Sequence, residues 1–296
     1  MAFKSGFVSI VGASNVGKST LLNALLQQKV AITSPKPQTT RHKIKGILNL
    51  PDIQLIFIDT PGIHDATIEY NKYLVKLALE TLQEVDIILF MIEPFPKGLK
   101  DGKKIIAIYL NQVKVPCILL INKVDKIAKP QLLPIIEEFD KLYPFKTILP
   151  ISALKHAGLE DVLRETTAFL PEGPKYYPET LITDITERQL VAEIIREKAI
   201  NSTREEVPHS IATMVEEFRD IPERGIIYIA ATIYVEKASQ KGIIIGKKGK
   251  MIKDIGQLSR KEIEGLLGCK VYLDLFVRVK SYWRRDPRTW VELGLK

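Results

Sequence analysis

Near its amino terminus the chain runs Phe7-Val8-Ser9-Ile10-Val11 and then Gly12-Ala13-Ser14-Asn15-Val16-Gly17-Lys18-Ser19-Thr20. An apolar run of strand length leads into a G-x-x-x-x-G-K-S loop, and an amphipathic segment follows to about residue 28. No other feature constrains the fold as much, because the spacing demands a strand, a tight loop and a helix in that order. Glycines let backbone N–H groups turn inward around phosphate oxygens. The helix amino terminus adds a favourable dipole, Lys18 is placed to reach the β- and γ-phosphates, and the Ser19 hydroxyl is placed to ligate Mg²⁺.

Further short apolar runs follow at 53–58, 86–92, 115–121 and 147–151, separated by amphipathic segments at 71–83, 102–111, 130–142 and 158–169. Such alternation predicts an α/β domain with a doubly wound, mostly parallel sheet. Folds of this kind bind ligands at the carboxyl ends of their strands. Those are the ends where the remaining informative residues occur.

Asp59-Thr60-Pro61-Gly62 closes the second of these strands; its carboxylate is suited to hold Mg²⁺ and its Gly62 N–H to touch a γ-phosphate. Asn122-Lys123-Val124-Asp125 follows the strand ending at Ile121. The Asp125 carboxylate can accept two hydrogen bonds from the N1–H and exocyclic amine of guanine, a pair adenine does not offer. Each such charge-assisted bond is worth roughly 1.5–3 kcal/mol. Ser152-Ala153-Leu154 completes the site, with the Ala153 N–H expected to meet the guanine carbonyl. Together these loops predict a GTP site.

Between the first two loops lies a segment holding Gln38, Thr39, Thr40, Arg41 and His42. A threonine there would ligate Mg²⁺ only while the γ-phosphate is present, so the segment should order with GTP and relax after hydrolysis. Thr40 is the first choice for that ligand and Thr39 the alternative; His42 reads as a solvated loop residue. Ile63, after Gly62, cannot orient water, so intrinsic hydrolysis should be slow, and no side chain is assigned as catalytic base.

Residues 171–178 hold three prolines and a glycine and cannot continue a helix. The organisation expected is a nucleotide domain at 1–170, a linker at 171–180 and a second domain at 181–296. That second part reads as α+β, with a helix at 186–200, strands at 211–218 and 226–235, helices across 250–267 and a strand at 271–279. Gly246-Lys247-Lys248-Gly249 stands within it, framed by isoleucines. Residues 237–261 carry eight basic residues against one acidic residue, Asp254. The glycines allow a sugar-phosphate backbone to approach while Lys247, Lys248, Lys250 and Lys253 neutralise it. This is similar to a KH domain of the second (type II) topology, whose G-x-x-G loop clamps about four nucleotides of single-stranded RNA. Trp283, Arg284 and Arg285 mix stacking and cationic groups as single-strand binders do, although Trp283 reads equally well as a core residue.

The chain has 296 residues, a length that favours two domains, and a net charge of +8, which favours a polyanionic partner. Cys117 and Cys269 lie far apart, form no metal-ligand pair and suit a reducing cytosol. No apolar run is long enough to span a bilayer, and the strand that begins so early leaves no room for a signal peptide. A cytoplasmic monomer is expected.

The P-loop asparagine Asn15, the Thr39-Thr40-Arg41-His42 segment and the apolar residue after Asp59-Thr60-Pro61-Gly62 resemble the Era family of bacterial GTPases, within the TrmE–Era–EngA group of P-loop GTPases. The likeness extends over the KH half. Ala13-Ser14 departs from the Arg-Pro more usual there, at positions that supply backbone. The resemblance implies a GTPase whose KH domain binds the 3′ end of small-subunit ribosomal RNA and which assists assembly of the small ribosomal subunit. It also implies that Asn15 can ligate K⁺ in support of hydrolysis; a loop-stabilising role is the alternative. Family members associate with the inner face of the cell membrane, which the basic surface permits and nothing here demands. Two other readings compete: an RNA chaperone with GTP as a structural ligand, and an RNA-modification enzyme. The Ser19, Thr40 and Asp59 set disfavours the first. The second lacks a nucleophilic cysteine, metal cluster or cofactor loop.

Overall fold

Strands flanked by helices on both faces are buried on both faces too, so they read as unbroken apolar runs rather than alternating ones. Ile87-Ile88-Leu89-Phe90-Met91-Ile92 is such a run, and all six residues are buried. The structure is a computed structural model that describes residues 2–295. In chain order its first part contains β1 (Lys4–Gly12), α1 (Lys18–Leu26), β2 (Ile44–Leu50), β3 (Ile53–Asp59), α2 (Glu69–Thr81), β4 (Ile87–Ile92) and α3 (Pro96–Ile108). It continues with β5 (Cys117–Ile121), α4 (Leu132–Leu142), β6 (Thr147–Pro150) and α5 (Leu159–Ala168). The sheet order is β2-β3-β1-β4-β5-β6. Every pairing is parallel except β2 with β3. The parallel α/β expectation holds.

Two elements differ from the sequence reading. β2 was not anticipated, because Lys45, Gly46 and Asn49 interrupt its apolar residues and it pairs antiparallel at the sheet edge. α3 begins at Pro96 rather than near residue 102; proline fits the first turn of a helix, where its missing N–H would have had no partner.

The molecule divides into two compact units. The first takes in the chain up to Ala31, Thr40–Thr67 and Lys72–Asp184; the second takes in Ile32–Thr39, Ile68–Asn71 and the chain from Ile185 onward. Within the first unit the proline-rich stretch is anchored by a buried amide. Gln54 Nε2 donates to the Tyr177 carbonyl at 2.8 Å, and Gln54 Oε1 accepts from the Tyr176 and Tyr177 N–H groups. Further on, Ile47 N–H donates to the Ile182 carbonyl at 2.7 Å, so the open edge of β2 is covered by its own chain. The core between sheet and helices includes Phe139, Leu110 and Phe90, all fully buried. Each such side chain contributes about 1.5–3 kcal/mol.

The second unit contains α6 (Glu187–Ser202), α7 (Val207–Ser210), β7 (Ala212–Ile221), β8 (Ile226–Val235), α8 (Ala238–Ile245), α9 (Lys250–Leu267), β9 (Lys270–Val279) and α10 (Pro287–Glu292). Its sheet runs β7-β8-β9, antiparallel then parallel. That matches the expected type II KH order. α8 was missed, since the run of isoleucines before Gly246 has no helical period, and so were the short α7 and α10. α6 opens with a capping box, Thr186 accepting from Gln189 N–H. Tyr70 packs edge-on against Trp283 and Trp290, with ring centroids at 5.3 and 5.2 Å.

Candidate functional site

The loop between β1 and α1 turns at Gly17, which has φ 106; a Cβ there would lie 2.3 Å from Asn122 Nδ2. Only glycine allows the helix to start so close to the Asn122 side chain. Asn122 Nδ2 in turn donates to the Val16 carbonyl at 2.8 Å, joining the phosphate loop to the loop after β5. Lys18 points back into its own loop, donating to the Ala13 carbonyl at 2.9 Å and the Gly12 carbonyl at 3.3 Å. Burial lowers the Lys18 pKa to about 8, opposed by the nearby Asp59 carboxylate. A bound triphosphate would supply the negative charge this ammonium lacks.

β1 and β3 pair in parallel, and this puts Asp59 beside the start of α1. Ser19 Oγ donates to Asp59 Oδ2 at 2.6 Å, and Thr40 Oγ1 lies 2.9 Å from Ser19 Oγ and 3.3 Å from Asp59 Oδ2. Asp59 is fully buried; burial pushes its carboxyl up, while Lys18, Ser19 and Thr40 pull it down. Its second oxygen, Oδ1, is buried with no hydrogen-bond partner among the described residues. Two hydroxyls and an under-satisfied carboxylate fit a small, hard divalent cation that keeps its remaining ligands from phosphate and water. Mg²⁺ is the ion this donor set suits.

Of the two candidate threonines, Thr40 reaches this cluster. Thr39 Oγ1 donates to the Lys36 carbonyl at 2.8 Å instead. Gln38 and Thr39 fall in the second unit, where Arg196 donates to the Thr39 carbonyl and Lys36 Nζ donates to the Ile200 and Thr203 carbonyls at the end of α6. Arg41 is buried and His42 half-buried. Thr60 Oγ1 donates to the Ile10 carbonyl at 2.9 Å, which fixes the turn through Pro61 and Gly62. Ile63 is buried and donates its N–H to the Gly12 carbonyl at 3.1 Å. Its apolar side chain cannot orient water.

In the guanine loops Asp125 is exposed and accepts a 2.6 Å hydrogen bond from Ser152 Oγ, which aims its carboxylate. Ala153 differs from expectation. Its N–H donates to Asn122 Oδ1 at 3.0 Å, so in this arrangement it is engaged rather than open to a guanine carbonyl. Leu154 is exposed beside it. The sequence reading missed Glu93, which pairs with Lys123 at 2.5 Å. Its place at the carboxyl end of β4 was the available signal.

In the second unit Gly246 and Gly249 bracket a turn with φ values of 72 and 75, and Lys247, Lys248, Lys250 and Lys253 are exposed around it. Beside the turn a groove of about 420 Å³ runs between α9 and β9, lined by Ile252, Lys253, Gly256, Gln257, Arg260, Tyr272, Leu273 and Leu275. An apolar floor with basic rims suits an unpaired base and its phosphates. Trp283 is corrected to a core residue: it is fully buried and its indole N–H donates to the Ser210 carbonyl at 2.9 Å, so no base can stack on it. Arg284 is tied to Glu236, whereas Arg285 is exposed over Tyr282.

A phosphate loop, a hard-cation oxygen cluster and a guanine-reading carboxylate on a parallel sheet, followed by a G-x-x-G unit, define a P-loop GTPase carrying a KH domain. Family comparison agrees for both parts. Residues 7–123 match the model of the 50S ribosome-binding GTPase family, and residues 206–284 match that of the KH domain. The GTPase Era of Geotalea uraniireducens is 50% identical over 292 residues, covering 99% of this chain and 98% of that protein. That of Lactobacillus helveticus is 51% identical over 292 residues, covering 99% and 96%. The chain belongs to the Era family of GTPases. Among solved structures it is similar to Era in complex with MgGDPNP and nucleotides 1506–1542 of 16S ribosomal RNA, at 43% identity, a TM-score of 0.94 and 99% coverage of both chains. An Aquifex aeolicus Era variant bound to GDP·AlF4− gives the same values.

Proposed function

We propose that the protein is a GTP-hydrolysing switch that binds single-stranded RNA at the 3′ end of small-subunit ribosomal RNA and assists assembly of the small ribosomal subunit. The observation that carries this reading is the full-length likeness, at a TM-score of 0.94, to an Era chain bound at once to MgGDPNP and 16S ribosomal RNA nucleotides. Gly12 to Thr20 would hold the phosphates through backbone N–H groups, and Lys18 would balance their charge. Ser19, Thr40 and Asp59 would hold Mg²⁺, which when bound neutralises charge on the β- and γ-phosphate oxygens. Asp125 would select guanine. Buried Ile63 leaves water without a side-chain guide, which supports slow intrinsic turnover, and Asn15 would recruit K⁺ as a stimulating ion. Gly246 to Lys250, Lys253 and Arg285 would clamp the RNA.

The protein would work in the cytoplasm as a monomer on the small subunit, with peripheral membrane contact as an accessory property. Among the described residues no helix is long and apolar enough to cross a membrane.

The test is a titration of one oligonucleotide with the 3′-terminal small-subunit sequence against the protein loaded with a non-hydrolysable GTP analogue or with GDP. Tighter RNA binding with the analogue is expected, and the analogue should bind tighter with RNA by the same factor, on the order of 5- to 150-fold. Equal affinities would leave GTP as a structural ligand of an RNA chaperone. No RNA binding in either state would remove the RNA reading.

A further inference from the structure

Glu93 stands one residue past β4, outside the four nucleotide loops. Its Oε2 lies 2.5 Å from Lys123 Nζ, and the two side chains are only 21% and 27% exposed. The same ammonium donates to the Asn15 carbonyl at 2.8 Å. Asn15 and Lys123 both have left-handed backbone conformations, with φ 65 and 66, in separate loops. One cation therefore joins two strained turns, the phosphate loop and the guanine loop, and a carboxylate holds that cation in place.

The carboxylate has its own seat. Gly98, buried in the first turn of α3, packs on Glu93 so closely that a Cβ would lie 2.3 Å from Glu93 Cγ and 2.7 Å from its carbonyl oxygen. The Pro94-Phe95-Pro96 turn brings α3 back onto β4 to make this contact. Without Glu93, the Lys123 ammonium would keep one carbonyl as partner in a half-shielded site, where an under-paired charge is costly. It would then be free to turn toward solvent or phosphate.

We propose that Glu93 is a positioning residue for guanine-nucleotide binding, acting through Lys123 to set the spacing between Asn15 and Asp125. The inference rests on the guanine-nucleotide reading of the site. A second tie between the loops, Asn122 to the Val16 carbonyl, is independent of Glu93. Loss of Glu93 therefore loosens the two loops without separating them.

A double-mutant cycle on the full chain tests it, with GDP affinity and GDP release rate as readouts and the melting temperature of nucleotide-free protein as control. Glu93→Gln should weaken GDP by about tenfold, mostly through faster release, since affinity differences lie largely in dissociation. Lys123→Met should weaken it more. The double variant should be no worse than Lys123→Met alone, because Glu93 acts only through that ammonium. Gly98→Ala, which displaces the carboxylate without removing it, should copy Glu93→Gln and serves if that variant is unstable. Additive losses, or GDP release unchanged in both Glu93→Gln and Gly98→Ala, would overturn the inference and leave the guanine site intact. Failure of the unaltered protein to bind GDP would instead sink the guanine-nucleotide reading itself.

Discussion

Ser19 Oγ donates a 2.6 Å hydrogen bond to Asp59 Oδ2, so residues forty positions apart share the centre where a divalent cation would sit. Thr40 approaches the same pair, and Thr39 turns away to the Lys36 carbonyl. Thr40→Ala and Ser19→Ala should each remove most of the gain in GTP-analogue affinity that Mg²⁺ confers, on the order of tenfold or more. Thr39→Ala should leave that gain unchanged. Calorimetric titration of the analogue with Mg²⁺ and with a chelator separates them; a loss confined to Thr39→Ala would reassign the ligand.

Asp125→Asn should lower GTP affinity by roughly 100-fold, since two charge-assisted acceptors become one neutral acceptor and a donor. The Ser152 hydroxyl that now aims the carboxylate can still bond the asparagine oxygen, so the loop should stay in place. The new amide can donate to the 2-carbonyl of xanthine, and xanthosine triphosphate should bind comparatively better. Unchanged GTP affinity would show that guanine is read elsewhere.

Lys247 and Lys248 are exposed in the turn between α8 and α9 and contribute little to the core. Replacing both with alanine should weaken RNA binding broadly across sequences. The slope of log affinity against log salt should shrink by about one to two, one phosphate contact for each lysine. GTP affinity without RNA should not move. A slope identical to that of the unaltered protein would exclude this turn as the clamp.

The two cysteines should differ sharply in reactivity. Cys117 is buried in β5, and burial pushes its thiol far above the ordinary range, with a backbone contact at Phe90 opposing weakly. Cys269 is half-buried in the turn before β9. Because the thiolate is the reactive form, a thiol-specific reagent should titrate one cysteine in the folded protein and two in denaturant. Two rapid equivalents in the folded protein would contradict the packing of β5.

Asn15 carries a prediction about salt. If it helps to hold a monovalent cation, exchanging Na⁺ for K⁺ should raise GTP turnover, and Asn15→Ala should abolish the difference. Equal turnover of the unaltered protein in both salts would reduce Asn15 to a loop residue held by Lys123.

What the sequence determined alone was everything carried by short spans. Gly12 to Ser19 is a local pattern, because the glycines, the lysine and the helix start lie within one loop whose conformation follows from those residue types. The unbroken apolar runs of β4 and β5, and Leu55 to Ile58 of β3, likewise announce strands buried on both faces, and Asp59 and Asn122 stand at strand ends that can be counted along the chain. What only the tertiary structure decided was which surfaces meet. Thr40 rather than Thr39 reaches Ser19, because the hydroxyl of Thr39 is turned to the Lys36 carbonyl and its own carbonyl is held by Arg196, far along the chain. Trp283 is buried by Tyr70 and α7, partners too distant in sequence to foresee. Glu93 gained its role when Lys123 folded over it from the next strand. β2, broken by lysine and glycine, became a strand through pairing with β3 and cover from residues 181–184. Local conformational preference is written residue by residue, whereas burial and pairing are properties of two surfaces and exist only once the chain has brought them together.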